Sequence, residues 1–599
     1  MPMLRFALRM LTAALFATGL LACASLGGAS SAPTFTPDPA ARAPKLEGFG
    51  QAAWRIATSS DGAQDLFARG LLQLYAFNQV EAARAFKGAL AKDPHCAMCA
   101  WGVAMALGPN INAVERGDLA EARQYAALAE RETRRTGGAA GSDGARLERL
   151  LVEAVVARYG EAADGGERNA AAALPDAPIC SGGNGPPPHP LDVRYAARML
   201  AVADAFPNQP DVASLYAEAR MIATRVDWWD PVTGEPAPGI ADMTARLERA
   251  LLQARDHTGL NHYLIHAVDA VPVARRAEAA ADRLGTLAPA SPHLLHMPAH
   301  IYVRLGRWSD AVRVNVDGIA ADVEQKRVLE AQGFEPSPDW NGHNLHFLWY
   351  AALMDGRGDQ ALATARRLAE RSATRETATG EFMRALPLFT LARIERWTEV
   401  LAAPMPPSTT GLATAIAHQA RGLALLRLGR LDEASAEAVA LEAAIASTTL
   451  DDQKVFGADP AREVLAILRA RLEAEFAVAR GRPDAAGRAL DQAVAREDAL
   501  EANEPPLLGA GSRLALGDAW GRAGRWSEAQ TAYRADLAEH PHSGWAWRGL
   551  TRALSAAGRP EQAAQARIEL GRTWASADPA LRAATNPSAN PAPGPTSKR

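Results

Sequence analysis

The sequence predicts an all-α protein built as a solenoid of helical hairpins, on three observations. The chain has 599 residues, too many for one ordinary globular core, so it forms several domains or one elongated array. Ala, Leu, Arg, Glu and Gly dominate, aromatic residues make up 6%, and β-branched runs are scarce, which favours helix throughout. Small and aromatic residues also recur at about 34-residue spacing.

The first 23 residues are typical of an export signal. Arg5 and Arg9 precede an apolar run of roughly a dozen residues, which is too short to span a membrane comfortably. The following Leu20-Leu21-Ala22-Cys23 resembles the lipobox of bacterial lipoproteins. This resemblance implies that Cys23 is lipidated and that the protein is anchored to a membrane and faces the periplasm. An ordinary secreted protein, cleaved nearby, is the alternative.

Composition divides the remainder into segments. We predict a signal peptide at 1–23, a flexible Ser/Ala/Pro-rich tether at 24–48, N-terminal repeats at 49–159, a Gly/Pro-rich loop at 160–190, central histidine-bearing repeats at 191–400, C-terminal repeats at 401–578 and a disordered tail at 579–599. The formal net charge is −4, and no basic stripe is evident. Nucleic acid is therefore not expected as a partner, and membrane contact is expected only through the anchor at Cys23.

The repeat is clearest near the C-terminus, where the tetratricopeptide pattern is matched by Gly517, Trp520, Gly524, Ala529, Tyr533 and Pro541. The same template fits from Gly70, Gly422 and Trp547, and weaker copies fall near residues 277, 302 and 356. Each unit is a helical hairpin that cannot bury its apolar side alone. Neighbouring units must therefore stack, which predicts a right-handed superhelix.

Several phrases go beyond the generic repeat. They are FKGALAKDPHCAMCAWGVAMALGPNIN, GLNHYLIHAVDA, APASPHLLHMPAHIYVRLGRWSDA and HNLHFLWYAALMDGR. Together they resemble a family of exported bacterial tetratricopeptide-repeat proteins and lipoproteins over roughly residues 65 to 360. The resemblance implies the fold and an exported location, and it assigns no catalytic residue.

Seven of the thirteen histidines lie in one short part of the chain: His262, His266, His293, His296, His300, His343 and His346. Aligned to the repeat, they fall at positions two, five and nine of the first helix in three successive units. These positions lie within about 60° of one another and opposite the packing positions. Because first helices line the concave side of this repeat, the sequence predicts a ladder of imidazoles across the groove.

Three further side chains fall in neighbouring slots of the same helices and are predicted to bind ligand: Asp269, Arg304 and Tyr350. Asp269 is suited to ligating a metal or orienting an imidazole, and Arg304 to binding an anion. Three interpretations stay open. The histidines hold Zn²⁺ or Cu²⁺, or they form a metal-free groove for a protein, peptide or small polar ligand, or they fill contacts between helices.

The sequence assigns no catalytic residue. It contains no GxGxxG, Walker, HExxH or GxSxG motif. A metal-dependent hydrolase or oxidase built on the histidines, and a pure protein-interaction scaffold, are the alternatives to a ligand-binding groove. Cys96 and Cys99 are expected to be buried thiols or a structural disulfide in an oxidising compartment, although with His95 they could also offer three ligands to a soft metal.

Overall fold

The structure is a computed structural model. It describes residues 35–112, 119–135, 142–159, 188–224, 228–230, 233–337, 339–446, 448–500, 504–509 and 511–583. The predicted signal peptide with Cys23, residues 160–187 of the predicted loop and residues 584–599 of the predicted tail lie outside these ranges. Among the described helices, none combines the length and hydropathy that a membrane span requires.

Helices make up nearly all of the regular structure. The N-terminal part contains α1 (Asp61–Tyr75), α2 (Gln79–Lys92), α3 (Ala97–Ala106), α4 (Ala120–Arg135), α5 (Asp143–Tyr159), α6 (Pro190–Ala205), α7 (Pro210–Ile222) and α8 (Ile240–Gln253). The central part contains α9 (Thr258–Ala267), a 3₁₀ turn (Ala274–Ala277), α10 (Glu278–Leu287), α11 (Pro292–His296), α12 (Pro298–Leu305), α13 (Trp308–Ala331), α14 (Asn341–Met354), α15 (Gly358–Arg371), α16 (Ala378–Arg393) and α17 (Trp397–Ala402).

The C-terminal part continues in the same manner. It contains α18 (Leu412–Arg427), α19 (Leu431–Ile445), a 3₁₀ turn (Thr448–Leu450), α20 (Ala461–Ala479), α21 (Pro483–Asp498), α22 (Ser512–Arg522), α23 (Trp526–Glu539), α24 (Gly544–Ala556), α25 (Pro560–Thr573) and α26 (Pro579–Ala583). Two short strands, β1 (Lys454–Val455) and β2 (Asp459–Pro460), pair antiparallel before α20. Each helix packs mainly against its neighbours in sequence. The prediction of an all-α solenoid of helical hairpins is confirmed.

Gly-Arg turns join the two helices of many hairpins. Gly306 and Gly429 have φ of 71° and 76°, a left-handed conformation that costs glycine little. The following arginine amides, at Arg307 and Arg430, return to carbonyls five residues earlier at 2.7 and 2.9 Å. This bond is typical of a Schellman helix end, and it satisfies carbonyls that the end of the first helix would otherwise leave unpaired.

Successive turns of the superhelix contact one another. The indole of Trp308 donates to the His542 carbonyl at 3.1 Å, and that of Trp545 donates to the Leu353 carbonyl at 2.9 Å, over separations of 234 and 192 residues. Those separations correspond to about six or seven repeat units. The contacts enclose the central helices, since every residue of α9 and nearly every residue of α14 is buried.

The predicted boundary of the tether at residue 48 differs from the structure. Residues 35–48 form no helix, but the Lys45 amide donates to Gln332 Oε1 at 2.8 Å and the Ala290 amide donates to the Gly48 carbonyl at 3.0 Å. Because these backbone groups are hydrogen-bonded to the central repeats, this half of the segment lies against the solenoid. Similarly, the first residues of the predicted tail form α26.

Candidate metal centre

The seven histidines lie on four helices of the central repeats. Helix α9 carries His262 and His266, the α11–α12 segment carries His293, His296 and His300, and α14 carries His343 and His346. The sequence predicted one continuous helix for the middle group. Instead α11 ends at His296 and α12 begins at Pro298, because proline has no amide hydrogen to donate to the preceding turn.

Six of the imidazoles form two adjacent triads. The first triad comprises His262, His266 and His293, and the second comprises His296, His300 and His343. Within each triad, one ring nitrogen from every residue lies within 4.8 Å of the others. The triads are neighbours, since the ring centroids of His266 and His300 are 6.4 Å apart, as are those of His293 and His296.

The imidazoles are buried, which corrects the prediction of a ladder in an open groove. All seven histidine residues are between 0 and 5% exposed. Phe77, in the turn between α1 and α2, places its ring centroid 4.6 to 5.6 Å from the three rings of the first triad. Phe347 lies 4.5 to 5.0 Å from the rings of the second triad. Trp340 stacks on His293 at 4.2 Å. Aromatic side chains therefore occupy the space that the sequence assigned to solvent.

Hydrogen bonding fixes the tautomer of His262 in the first triad. Its Nδ1 lies 2.6 Å from the carbonyl oxygen of Tyr75, and a carbonyl only accepts, so Nδ1 must carry the hydrogen. In the neutral ring Nε2 is then a bare lone pair. That lone pair faces Nε2 of His266 at 3.0 Å and Nε2 of His293 at 3.1 Å.

The second triad is constrained more tightly. Asn315 donates through Nδ2 to the Ala311 carbonyl at 2.7 Å, which turns its Oδ1 toward His296 Nδ1 at 2.8 Å. His300 Nδ1 lies 2.7 Å from Asp269 Oδ2. Both acceptors require a hydrogen on Nδ1, so the neutral rings present bare Nε2 lone pairs. These two nitrogens are 3.0 Å apart. Neither has a hydrogen to share, and a cation between them would satisfy both.

Burial keeps these imidazoles neutral. It lowers the pKa of His262, His293 and His343 well below the usual value, with smaller contributions from neighbouring imidazoles. Burial, followed by the charge of His300, lowers the pKa of His296 to about 3. A proton is therefore a poor cation for this site near neutral pH, whereas neutral imidazole is the form that binds metal.

Two carboxylates and one arginine lie behind the second triad. Arg304 contacts Asp269 Oδ1 at 3.0 Å and Glu504 Oε1 at 2.6 Å, and Glu504 Oε2 lies 2.9 Å from His300 Nδ1. Burial acts to raise the pKa of Asp269, but the charges of Arg304 and His300 outweigh it and lower that pKa. Burial and the charge of Asp269 raise the pKa of Glu504.

This arrangement refines the predicted roles of Asp269 and Arg304. Asp269 orients an imidazole, one of the two roles that the sequence suggested. Arg304 was expected to bind an anion, and the anions that it contacts are the carboxylates of Asp269 and Glu504. Sequence reasoning missed Glu504, which is 200 residues from Arg304 and belongs to no repeat position. It also missed Asn315, on the second helix of its hairpin.

Three other predicted residues lie apart from the triads. His346 packs between Trp349 and Phe456, with ring centroids 5.6 and 5.1 Å away. Tyr350 packs against Trp308 at 5.8 Å, and its buried hydroxyl has no hydrogen-bond partner among the described residues. His95 contacts Glu132 at 2.9 Å.

The two cysteines of the CAMC segment are joined. Cys96 and Cys99 form a disulfide, and the Sγ of Cys96 also accepts the Cys99 amide at the start of α3. In the described part of the chain, neither cysteine is in a group of side chains that could hold a metal ion. The segment therefore has a structural role, which was one of the two expectations from the sequence.

Comparison with known proteins places no family name on the chain. No protein-family model matches it, and no curated protein matches it. Among solved structures, the human IFIT1 dimer with m7Gppp-AAAA is 12% identical with a TM-score of 0.28, over 87% of this chain and 92% of that one. The APC/C hetero-tetramer Cut9–Hcn1 is 11% identical with a TM-score of 0.25, over 87% and 89%. At these scores, no role is carried over from either protein.

Proposed function

We propose that this protein binds transition-metal ions in the two histidine triads, in the interior of an exported solenoid anchored through Cys23. The facing lone pairs of His296 and His300, 3.0 Å apart, carry the proposal. Ligands at metal–nitrogen distances of about 2.0–2.1 Å in tetrahedral geometry lie about 3.3 Å from each other. The nitrogens are therefore close to the separation that Zn²⁺ or copper requires.

The hydrogen bonds behind the ligands support the same proposal. Metal-binding histidines commonly donate their second N–H to a carbonyl or a carboxylate, which fixes the tautomer and aims the lone pair. Tyr75, Asn315 and Asp269 supply such acceptors to three of the six rings. The usual alternative for buried histidines is a chain of donors and acceptors, and it fails at His296 and His300 because both hydrogens are already committed elsewhere.

Enclosure favours an ion over a larger ligand. The side chains of both triads are surrounded by aromatic rings and helices, and a protein or peptide in the concave groove would not reach them. A macromolecular partner, if bound, contacts other surfaces. The export signal and the lipobox-like sequence at Cys23 support a location in the cell envelope, where the protein would hold metal ions outside the cytoplasm.

Metal analysis of the purified full chain tests this proposal. We expect near-stoichiometric Zn or Cu by elemental analysis, with up to two ions per chain. The double variant His266→Ala/His300→Ala removes one ligand from each triad and should lose the metal. His346→Ala changes a buried histidine outside the triads and should keep it. Wild-type protein that is metal-free from cells and takes up no metal on titration would contradict the proposal.

A second prediction concerns the residue that orients His296. Asn315→Leu removes the acceptor of the Nδ1 hydrogen, and loss of such a partner typically weakens metal affinity by about 10–100-fold. Asn315→Asp keeps an acceptor oxygen and should retain most of the affinity. Competition with a chromophoric chelator measures both. Equal losses in the two variants would show that Asn315 acts through packing rather than through the imidazole.

A further inference from the structure

We infer that the two triads select cations of different charge: the first a monovalent, closed-shell ion of the copper(I) class, and the second a divalent ion. This inference rests on the proposed function, because it requires both triads to bind metal. It follows from the groups that surround each set of ligands, which differ although the ligands themselves are the same.

The first triad has neutral surroundings at the two rings whose contacts are best defined. His262 donates to the Tyr75 carbonyl. His293 packs between the rings of Phe77 and Trp340, at 5.3 and 4.2 Å, and its Nδ1 has no hydrogen-bond partner within the described residues. Among those residues, no carboxylate shares a potential metal-binding group with His262, His266 or His293.

Neutral surroundings favour the smaller charge. The cost of moving an ion from water into a medium of low polarity grows with the square of its charge, so a divalent ion costs about four times as much as a monovalent one of equal size. Three neutral imidazoles donate electron density but remove none of the formal charge. The Phe77 ring adds attraction for a cation. Copper(I) also accepts three ligands readily, which matches the number that the site offers.

The second triad has a built-in negative charge. The carboxylates of Asp269 and Glu504 lie 2.7 and 2.9 Å from His300 Nδ1. Arg304 contacts both carboxylates and offsets one of them. One negative charge then remains behind His300, where it increases the basicity of the ligand nitrogen. A divalent ion here has the same net charge with its surroundings as a monovalent ion in the first triad.

A competition between Ag⁺ and Zn²⁺ tests the inference. Ag⁺ is a monovalent, redox-stable probe for the copper(I) class. The metal-free full chain, with free thiols alkylated beforehand, is dialysed against both ions together and analysed for each element. We expect one Ag⁺ and one Zn²⁺ per chain. His266→Ala should lose Ag⁺ and keep Zn²⁺, whereas His343→Ala should lose Zn²⁺ and keep Ag⁺. The retained ion shows in each case that the variant is folded.

A charge variant tests the cause. Glu504→Gln keeps the shape of the side chain and removes the negative charge, so Zn²⁺ affinity should fall at least tenfold while Ag⁺ binding is unchanged. Two Zn²⁺ ions or two Ag⁺ ions in the wild type would overturn the inference and leave the proposed metal-binding function standing. An unchanged Zn²⁺ affinity in Glu504→Gln would also overturn it. Uptake of neither ion would contradict the proposed function itself.

Discussion

Gly306→Ala should destabilise the solenoid by about 2 kcal/mol or more beyond the cost of an ordinary glycine-to-alanine change at a helix end. A β-carbon at Gly306 would lie 1.9 Å from the carbonyl oxygen of Pro541. That oxygen belongs to the next superhelical turn, next to the bond between Trp308 and His542. Because backbone atoms cannot rotate away as a side chain can, relief requires the two turns to separate.

Gly429→Ala is the matched control. Gly429 also begins a Gly-Arg turn and has a similar left-handed φ, but a β-carbon there would meet nothing within 4 Å. It should cost only the conformational penalty of about 1–2 kcal/mol. Thermal unfolding compares the two variants, and hydrogen exchange of α12 and α24 reports separation of the turns. Equal destabilisation would show that this contact contributes nothing to stability.

Acidification should destabilise the metal-free protein steeply between about pH 6.5 and 4.5. Burial lowers the pKa of five histidines: His262, His293, His296, His343 and His346. Below pH 6.5 the unfolded chain takes up protons at these positions and the folded chain does not, so stability falls as the pH falls. Each histidine contributes up to about 1.4 kcal/mol per pH unit. One group opposes the trend, since Asp536 outweighs burial and raises the pKa of His540.

The denaturation midpoint, followed across this pH range on chelator-treated protein, measures the effect. His346→Phe supplies the control, because burial lowers the pKa of His346 to about 3 and the residue lies outside both triads. Its loss should remove one proton from the uptake on unfolding and flatten the slope by about 1.4 kcal/mol per pH unit. A slope that is the same in both proteins would contradict the assignment. Bound metal should delay the acid transition to lower pH in the wild type.

Local periodicity explains why much of the fold and part of the site were predictable. The Gly-Arg turns and the packing alanines recur within each hairpin, and they identified the helix pairs. Helical spacing also placed six imidazoles correctly in two neighbouring groups. His346 shares a helix face with His343, but three residues displace it by about 4.5 Å along the axis. That displacement brings it next to Phe456 instead of the triads.

The sequence by itself determined the helical hairpins, their stacking into an array and the helix face on which the histidines lie, because these properties depend on residues within one or two repeat units. The tertiary structure decided that this face is buried, since Phe77 and Glu504 reach it from other superhelical turns. It also decided the tautomer of His262, through a carbonyl 187 residues away. Contacts between superhelical turns join residues several repeats apart and leave no periodic pattern, so only the folded chain shows that the imidazole lone pairs face one another.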